Sequence, residues 1–300
     1  MFIVLSVLSG FLVTIMINFN GLLQTAVGGT TALLCIHVCG LLGALLFFLI
    51  TGRRLKGESS RKPAFYCLLA GTIGATATFF QSISFQKGGI LLSLSGSLAG
   101  QILAASVTES FYKGDRQKSP IFQRVIAPAL LIPGSFIIGH KAGASFFWII
   151  LSWLPGIILM VQQTMNSKNT AYYGTPKTII FNFTSALILI TPLFLFSSGS
   201  DLISEHIVNK WTTLSTLPWY VVAGGGLIGV FSTGFIAFLL LKAPALVVSL
   251  GIYSGELFSG VLLDLFTGHS IAIEKIIGIL LIVAGLGAGK INFKKEAIKE

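Results

Sequence analysis

The sequence predicts an all-α integral membrane protein: ten transmembrane helices in two inverted five-helix repeats. Three observations carry that reading: an apolar composition, ten apolar stretches near spanning length, and an internal repeat. Of the 300 residues, 54% are hydrophobic and only 10% are charged, against about 25% charged in a soluble domain. Mean hydropathy is +0.88. So few charges cannot cover the surface of a soluble protein of this size, and lipid must take their place.

The ten stretches cover residues 2–24, 30–51, 64–85, 89–111, 122–139, 145–166, 175–197, 217–241, 244–266 and 271–289. Most reach the ~20 residues that cross a bilayer as helix. The alternation over ~10-residue segments that marks an outer-membrane barrel is absent, so helices are the spanning element. The fifth and tenth stretches are short, and the tenth runs into the glycine-rich "VAGLGAGK". The first opens "MFIVLSVLSG", with no basic residue and an apolar run longer than a signal core of about 7 to 15 residues, so it is expected to remain as a span.

Orientation follows from the basic residues. With "TGRRLKGESSRKP" in the cytoplasm, only Lys87, Lys141, Lys210 and Lys275 fall outside, which leaves 16 of the 20 Lys and Arg inside. The positive-inside rule then puts both termini in the cytoplasm, and the expected location is a bacterial inner membrane. The net charge of +10 is accounted for by short loops and a lysine-containing tail. Topology and anionic lipid explain such charge, and no nucleic-acid partner is expected.

Cys35, Cys39 and Cys67 all fall inside spans, which argues against a disulfide framework. In "CIHVC" the two cysteines share a helix face while His37 points nearly the opposite way, so the stretch is not read as a metal site. His37, His140, His206 and His269 are widely separated, and no acid, base and nucleophile set accompanies them; an enzyme is not expected. No "GxxxxGK[ST]" occurs, so neither nucleotide nor other cofactor is implied.

Residues 63 to 111 lie over residues 218 to 266 at an offset of 155 without a gap. The matches include Pro63 with Pro218, Gly71 with Gly226, Gly74 with Gly229, Lys87 with Lys242, Gly96 with Gly251 and Gly100 with Gly255. Earlier, an offset of 146 pairs Gly10 with Gly156, Asn20 with Asn166 and Gly28 with Gly174. The chain thus divides into a first five-helix repeat, residues 1–140, and a second, residues 141–300, which ends in the short basic tail. An odd number of spans per repeat makes the second enter from the opposite side. Inverted repeats of this kind are the architecture of many secondary transporters, with a site near the midplane.

"QQTMN" at residues 162–166, "GTIG" at 71–74 with "GLIG" at 226–229, and "GQILAASVTESF" at 100–111 with "GELFSGVLLDLF" at 255–266 resemble the YdcZ-like branch of the drug/metabolite transporter superfamily. The resemblance covers nearly the whole chain, as two fused units, and implies the EamA-like fold of that superfamily and a transport role, with export the weaker implication. In that branch each unit carries Gln and Asn on its first span, and Gly-Gln followed eight residues later by Asp on its fourth. This chain departs from the pattern with Met16 for Gln, Glu109 for Asp and Glu256 for Gln.

Glu256 stands near the centre of span nine, where the repeat pairs it with Gln101 of span four. A charge at mid-bilayer costs about 2.5 to 3.5 kcal/mol on insertion scales, so the carboxyl is expected to be protonated, paired or facing a wet cavity. A proton or cation handle and an interhelical hydrogen-bonding group are the two readings. Tyr253 precedes it by three residues and either lines the same cavity or packs. On span six, Gln162, Gln163 and Asn166 lie within about 100° of arc. With Asn20, Gln101 and Asn182 they offer amides to a substrate or to neighbouring helices. Glu109 and Asp264 end spans four and nine as gates or solvated helix ends, while Lys87 and Lys242 are placed in the turns that follow spans three and eight. Spans four and nine are expected to cross near the pseudo-symmetry axis at their glycines, with Gly100 and Gly255 facing neighbouring helices.

The leading function is secondary active transport of a small metabolite or drug by alternating access, with Glu256 in the coupling. The expected partners are the substrate, the lipid bilayer and a proton or other coupling cation. A lipid-moving protein or a non-transporting scaffold is the alternative.

Overall fold

The structure is a computed structural model that describes residues 2–51, 57–111, 121–141, 143–198 and 212–266, with residues 273, 276, 277 and 280. Among them every regular element named below is helical: α1 Phe2–Val27, α2 Gly29–Thr51, a 3-10 turn Phe65–Leu69, α3 Ala70–Phe111, α4 Ile121–Lys141, α5 Phe146–Leu151, α6 Trp153–Tyr173, α7 Thr175–Ser198, α8 Trp219–Lys242 and α9 Ala245–Phe266. Six stretches of helix are long and apolar enough to cross a membrane, Phe2–Val27, Gly29–Thr51, Phe65–Phe85, Phe146–Tyr173, Thr175–Phe196 and Trp219–Lys242. The shorter apolar segments Leu92–Thr108 and Ala245–Gly260 occupy the expected fourth and ninth spans. The protein is an all-helical integral membrane protein. The tenth expected span lies almost wholly outside the described residues.

Residue chemistry sets the helix boundaries. Gly28 and Gly174 have φ of +82° and +83°, a left-handed conformation that glycine adopts without Cβ strain. Each donates its N–H to the carbonyl four residues back, Gln24 at 2.9 Å and Thr170 at 3.0 Å, which ends one helix as the next begins. After Lys242, Pro244 has no N–H and disfavours helical geometry at Ala243, and α8 stops there.

The corresponding turn expected at Lys87 is not formed. Residues 87–90 read "KGGI" where the second repeat has "KAPA", and α3 runs through them for 42 residues. Glycine weakens a helix but permits it; proline does not. Exposed Lys87 lies within α3, its Nζ 5.0 Å from the centre of the Trp148 ring, at cation–π distance. The apolar profile still divides around it, into Phe65–Phe85 and Leu92–Thr108.

Two compact units emerge, and each draws on both halves of the sequence. One comprises residues 1–11, 83–160 and 242–300; the other comprises residues 12–82 and 161–241. In the second, α2 packs on α7 through Ala44, Ile179 and Phe183, with Val230 of α8 in the same cluster. His37 is buried there, its Nδ1 2.8 Å from the Leu33 carbonyl and its ring edge-on to Phe183. In the first, Leu92, Ala144 and Ile149 form a core cluster with Phe136 and Trp148 against it.

Candidate functional site

Each compact unit buries a set of polar side chains. In the unit of residues 12–82 and 161–241 the set is built on one face of α6. Gln162 and Asn166 lie one turn apart, and both donate to Asn182 Oδ1 of α7, from Nε2 at 3.0 Å and from Nδ2 at 2.9 Å. Glycines of α3 make the space: a Cβ at Gly71 would strike the Asn182 carbonyl oxygen, and one at Gly74 would strike the Gln162 amide. Gly71 N–H donates to Ser185 Oγ at 3.1 Å, and Thr72 Oγ1 donates to the Ser185 carbonyl at 2.7 Å. One turn further along α6, Asn169 Nδ2 donates to the Cys67 carbonyl at 2.7 Å. Side-chain amides thus join α6 to α7 and to the 3-10 turn that opens α3.

Gln163 is half-buried and stays outside this cluster. Asn20 of α1 is buried, its Oδ1 against Gly225 of α8 and without a hydrogen-bond partner. The offset of 146 places Met16 and Ile36 where the second repeat has Gln162 and Asn182. Met16 Sδ accepts from Ser232 Oγ at 3.7 Å and faces Gly229, as Gln162 faces Gly74. Met16 and Ile36 therefore offer no amides at the positions that match this cluster.

In the other unit, Glu256, Gln101 and Tyr253 are 3%, 4% and 0% exposed. Gln101 Oε1 and Tyr253 Oη have no hydrogen-bond partner. Backbone crossings put Glu256 and Gln101 in matching surroundings. A Cβ on Gly10 of α1 would strike the Ile252 carbonyl oxygen and come within 2.7 Å of the Glu256 nitrogen. One on Gly156 of α6 would strike the Ser97 carbonyl oxygen and come within 2.7 Å of the Gln101 nitrogen. Reciprocally, Gly255 faces the Val7 carbonyl and Gly100 the Trp153 carbonyl. Both glycines do face neighbouring helices, Gly100 packing on α6 and Gly255 on α1. Such contacts need a bare Cα, because any side chain would hold the backbones apart. Ser259 Oγ turns back on its own helix, to the Gly255 carbonyl at 2.7 Å and the Glu256 carbonyl at 3.1 Å.

A family model described as "Putative inner membrane exporter, YdcZ" matches residues 1–137 and 147–287, one match for each repeat. The chain belongs to the YdcZ family. No curated protein matches. A solved crystal structure 18% identical to this YdcZ-family chain aligns over 93% of it and 94% of its own length with a TM-score of 0.60, which establishes a shared fold.

Among the residues singled out in this YdcZ protein, the structure brings Gln162 and Asn166 together through Asn182. It buries Glu256, Gln101 and Tyr253 within one unit. Glu109 and Asp264 stand in the last turns of α3 and α9, and their side chains lie outside the described residues. Asn169, Thr170 and Ser185 were not anticipated. The first two continue the Gln162 and Asn166 face at i+3 and i+4, a periodicity that would have found them. Ser185 carries no such signal, since its role depends on the approach of Gly71.

Proposed function

We propose that this chain is a secondary active exporter of a small molecule, working by alternating access and coupled to protons or another cation through Glu256. Membership in a family of inner membrane exporters supplies the class. The observation that carries the rest is the burial of Glu256 at a glycine crossing whose counterpart holds Gln101. One position titrates and the other does not, so a proton or cation taken up at Glu256 distinguishes two otherwise related states. Contacts of Gly10 with Ile252 and of Gly156 with Ser97 repeat at the two sequence offsets. They support two inverted five-helix repeats, residues 1–140 and 141–300. The distribution of Lys and Arg supports cytoplasmic termini.

In this reading Gln101 and Tyr253 share the coupling region with Glu256. Gln162, Gln163, Asn166 and Asn20 offer amides to the substrate, and Glu109 and Asp264 act as gates. Exchange between states needs helices that slide past one another without interlocking side chains, which paired glycines permit.

The test replaces Glu256 with Gln, which keeps size and most hydrogen-bonding capacity but cannot exchange a proton near neutral pH. Ligands are first found by melting-temperature shifts of the purified protein against cationic and neutral small molecules. In proteoliposomes, Glu256→Gln should lose accumulation driven by a pH gradient while retaining binding and passive exchange. Undiminished gradient-driven accumulation would assign Glu256 to helix packing.

One observation favours a lipid-moving role as the second reading. A cavity of about 450 Å³ is lined by Leu12, Phe47, Ile179, Phe231, Phe235 and Phe238 among others, with Thr175 its polar residue. Its lining suits an acyl chain. Scrambling of fluorescent phospholipid in vesicles that carry the protein, absent in Phe235→Arg, would support it; no scrambling would remove it.

A further inference from the structure

Three buried oxygens belong to residues on successive turns of α6. Asn166 Oδ1, Asn169 Oδ1 and Thr170 Oγ1 have no hydrogen-bond partner, and their residues are 1%, 1% and 4% exposed. Asn166 adjoins each of the other two, at i+3 and at i+4 along the helix. The orientation of both amides is fixed by their nitrogens, since Asn166 Nδ2 donates to Asn182 Oδ1 and Asn169 Nδ2 to the Cys67 carbonyl. Both carbonyl oxygens are therefore the free ends, at the junction of α6 with α7 and the 3-10 turn.

A buried polar group without a partner is destabilising, and three such oxygens on one stretch of helix call for something that satisfies acceptors. Hard cations take such oxygens from amide and hydroxyl groups. All three donors are neutral, which does not suit a divalent ion, whose sites depend on carboxylates. Lys168, between them in sequence, is exposed. The first repeat cannot build the same set, because the offset of 146 puts Leu23 in place of Asn169 and Gln24 in place of Thr170.

We infer that Asn166, Asn169 and Thr170 form a binding site for an alkali-metal cation, present in the second repeat alone. It shares Asn166 with the proposed substrate-binding amides but does not depend on Glu256. The cation completes the polar network that ties α6 to the 3-10 turn, so its binding stiffens that junction.

The test uses the full-length protein in detergent at constant ionic strength, with N-methylglucamine chloride replaced stepwise by LiCl, NaCl or KCl. A ligand that binds only the folded state raises the melting temperature. At least one alkali cation should raise it saturably over N-methylglucamine. Thr170→Val, which deletes the hydroxyl at nearly constant shape, should lose the response, and Thr170→Ser should keep it. Glu256→Gln should also keep it, whatever that variant does to transport. Equal melting temperatures in all four salts for the unaltered protein would overturn the site, whether or not any variant folds. So would an undiminished response in Thr170→Val, or loss of the response in Glu256→Gln, which would move the ion to the carboxylate.

Discussion

Asn182 Oδ1 accepts two buried amide donors, Gln162 Nε2 and Asn166 Nδ2. Asn182→Ile strands both, and each buried unpaired donor costs about 1 to 3 kcal/mol. That single variant should therefore melt well below the unaltered protein. Adding Gln162→Met completes a copy of the first repeat's own pair, Met16 and Ile36, and removes one of the stranded donors. The double variant should regain part of the loss, which thermal unfolding in detergent measures; a double variant less stable than the single one would mean that packing, not hydrogen bonding, sets the cost. The same comparison separates stability from function. If Gln162 and Asn166 bind substrate, the double variant should bind less of it even where its melting temperature recovers.

At the scale of helices, the glycine crossings are the most demanding contacts. A methyl group at Gly255 would meet the Val7 carbonyl and lie 3.0 Å from the Gly10 Cα, so the obstacle is backbone that cannot rotate away. Gly255→Leu should sharply lower the yield of folded protein, whereas Leu257→Ile, two residues on and half-buried, should cost under about 1.5 kcal/mol. Size-exclusion profiles of the detergent-extracted variants test this, and a monodisperse Gly255→Leu would contradict the close approach. The sequence pattern anticipated that these glycines face neighbouring helices but not that the partners are α6 and α1, because a repeat shows equivalence between positions and not contact between them. The expected limits fall within three residues of the helix ends beside Gly28 and Pro244, where chemistry forces an end, but α6 runs seven residues past its expected end at 166, to Tyr173. Helix limits were not legible at Lys87, where alignment with Lys242 implied a turn that "KGGI" does not enforce. Of the site, the α6 stripe was readable from its spacing. Its continuation to Asn169 was equally open to the i+3 spacing, whereas the anchoring at the Cys67 carbonyl depends on a tertiary neighbour that no local pattern reveals.

For the whole molecule, the proposed topology follows from a single imbalance, 16 of 20 basic residues on one side. Two exposed serines report on it. Ser60 lies in the basic segment before the third span, and Ser145 lies just before α5. The positive-inside rule puts the first in the cytoplasm and the second outside. In a background with Cys35, Cys39 and Cys67 replaced by serine or alanine, an impermeant thiol reagent applied to sealed cells should label Ser145→Cys and leave Ser60→Cys unlabelled until the membrane is permeabilised. Reversed labelling would invert the chain, place both termini outside and break the positive-inside rule. Labelling of both in sealed cells would mean that an odd number of crossings does not separate the two positions, and the five-span repeat would have to be abandoned. The second outcome bears most directly on mechanism. Without an odd-span repeat the two halves are not inverted, and the correspondence between Glu256 and Gln101 would no longer relate one side of the membrane to the other.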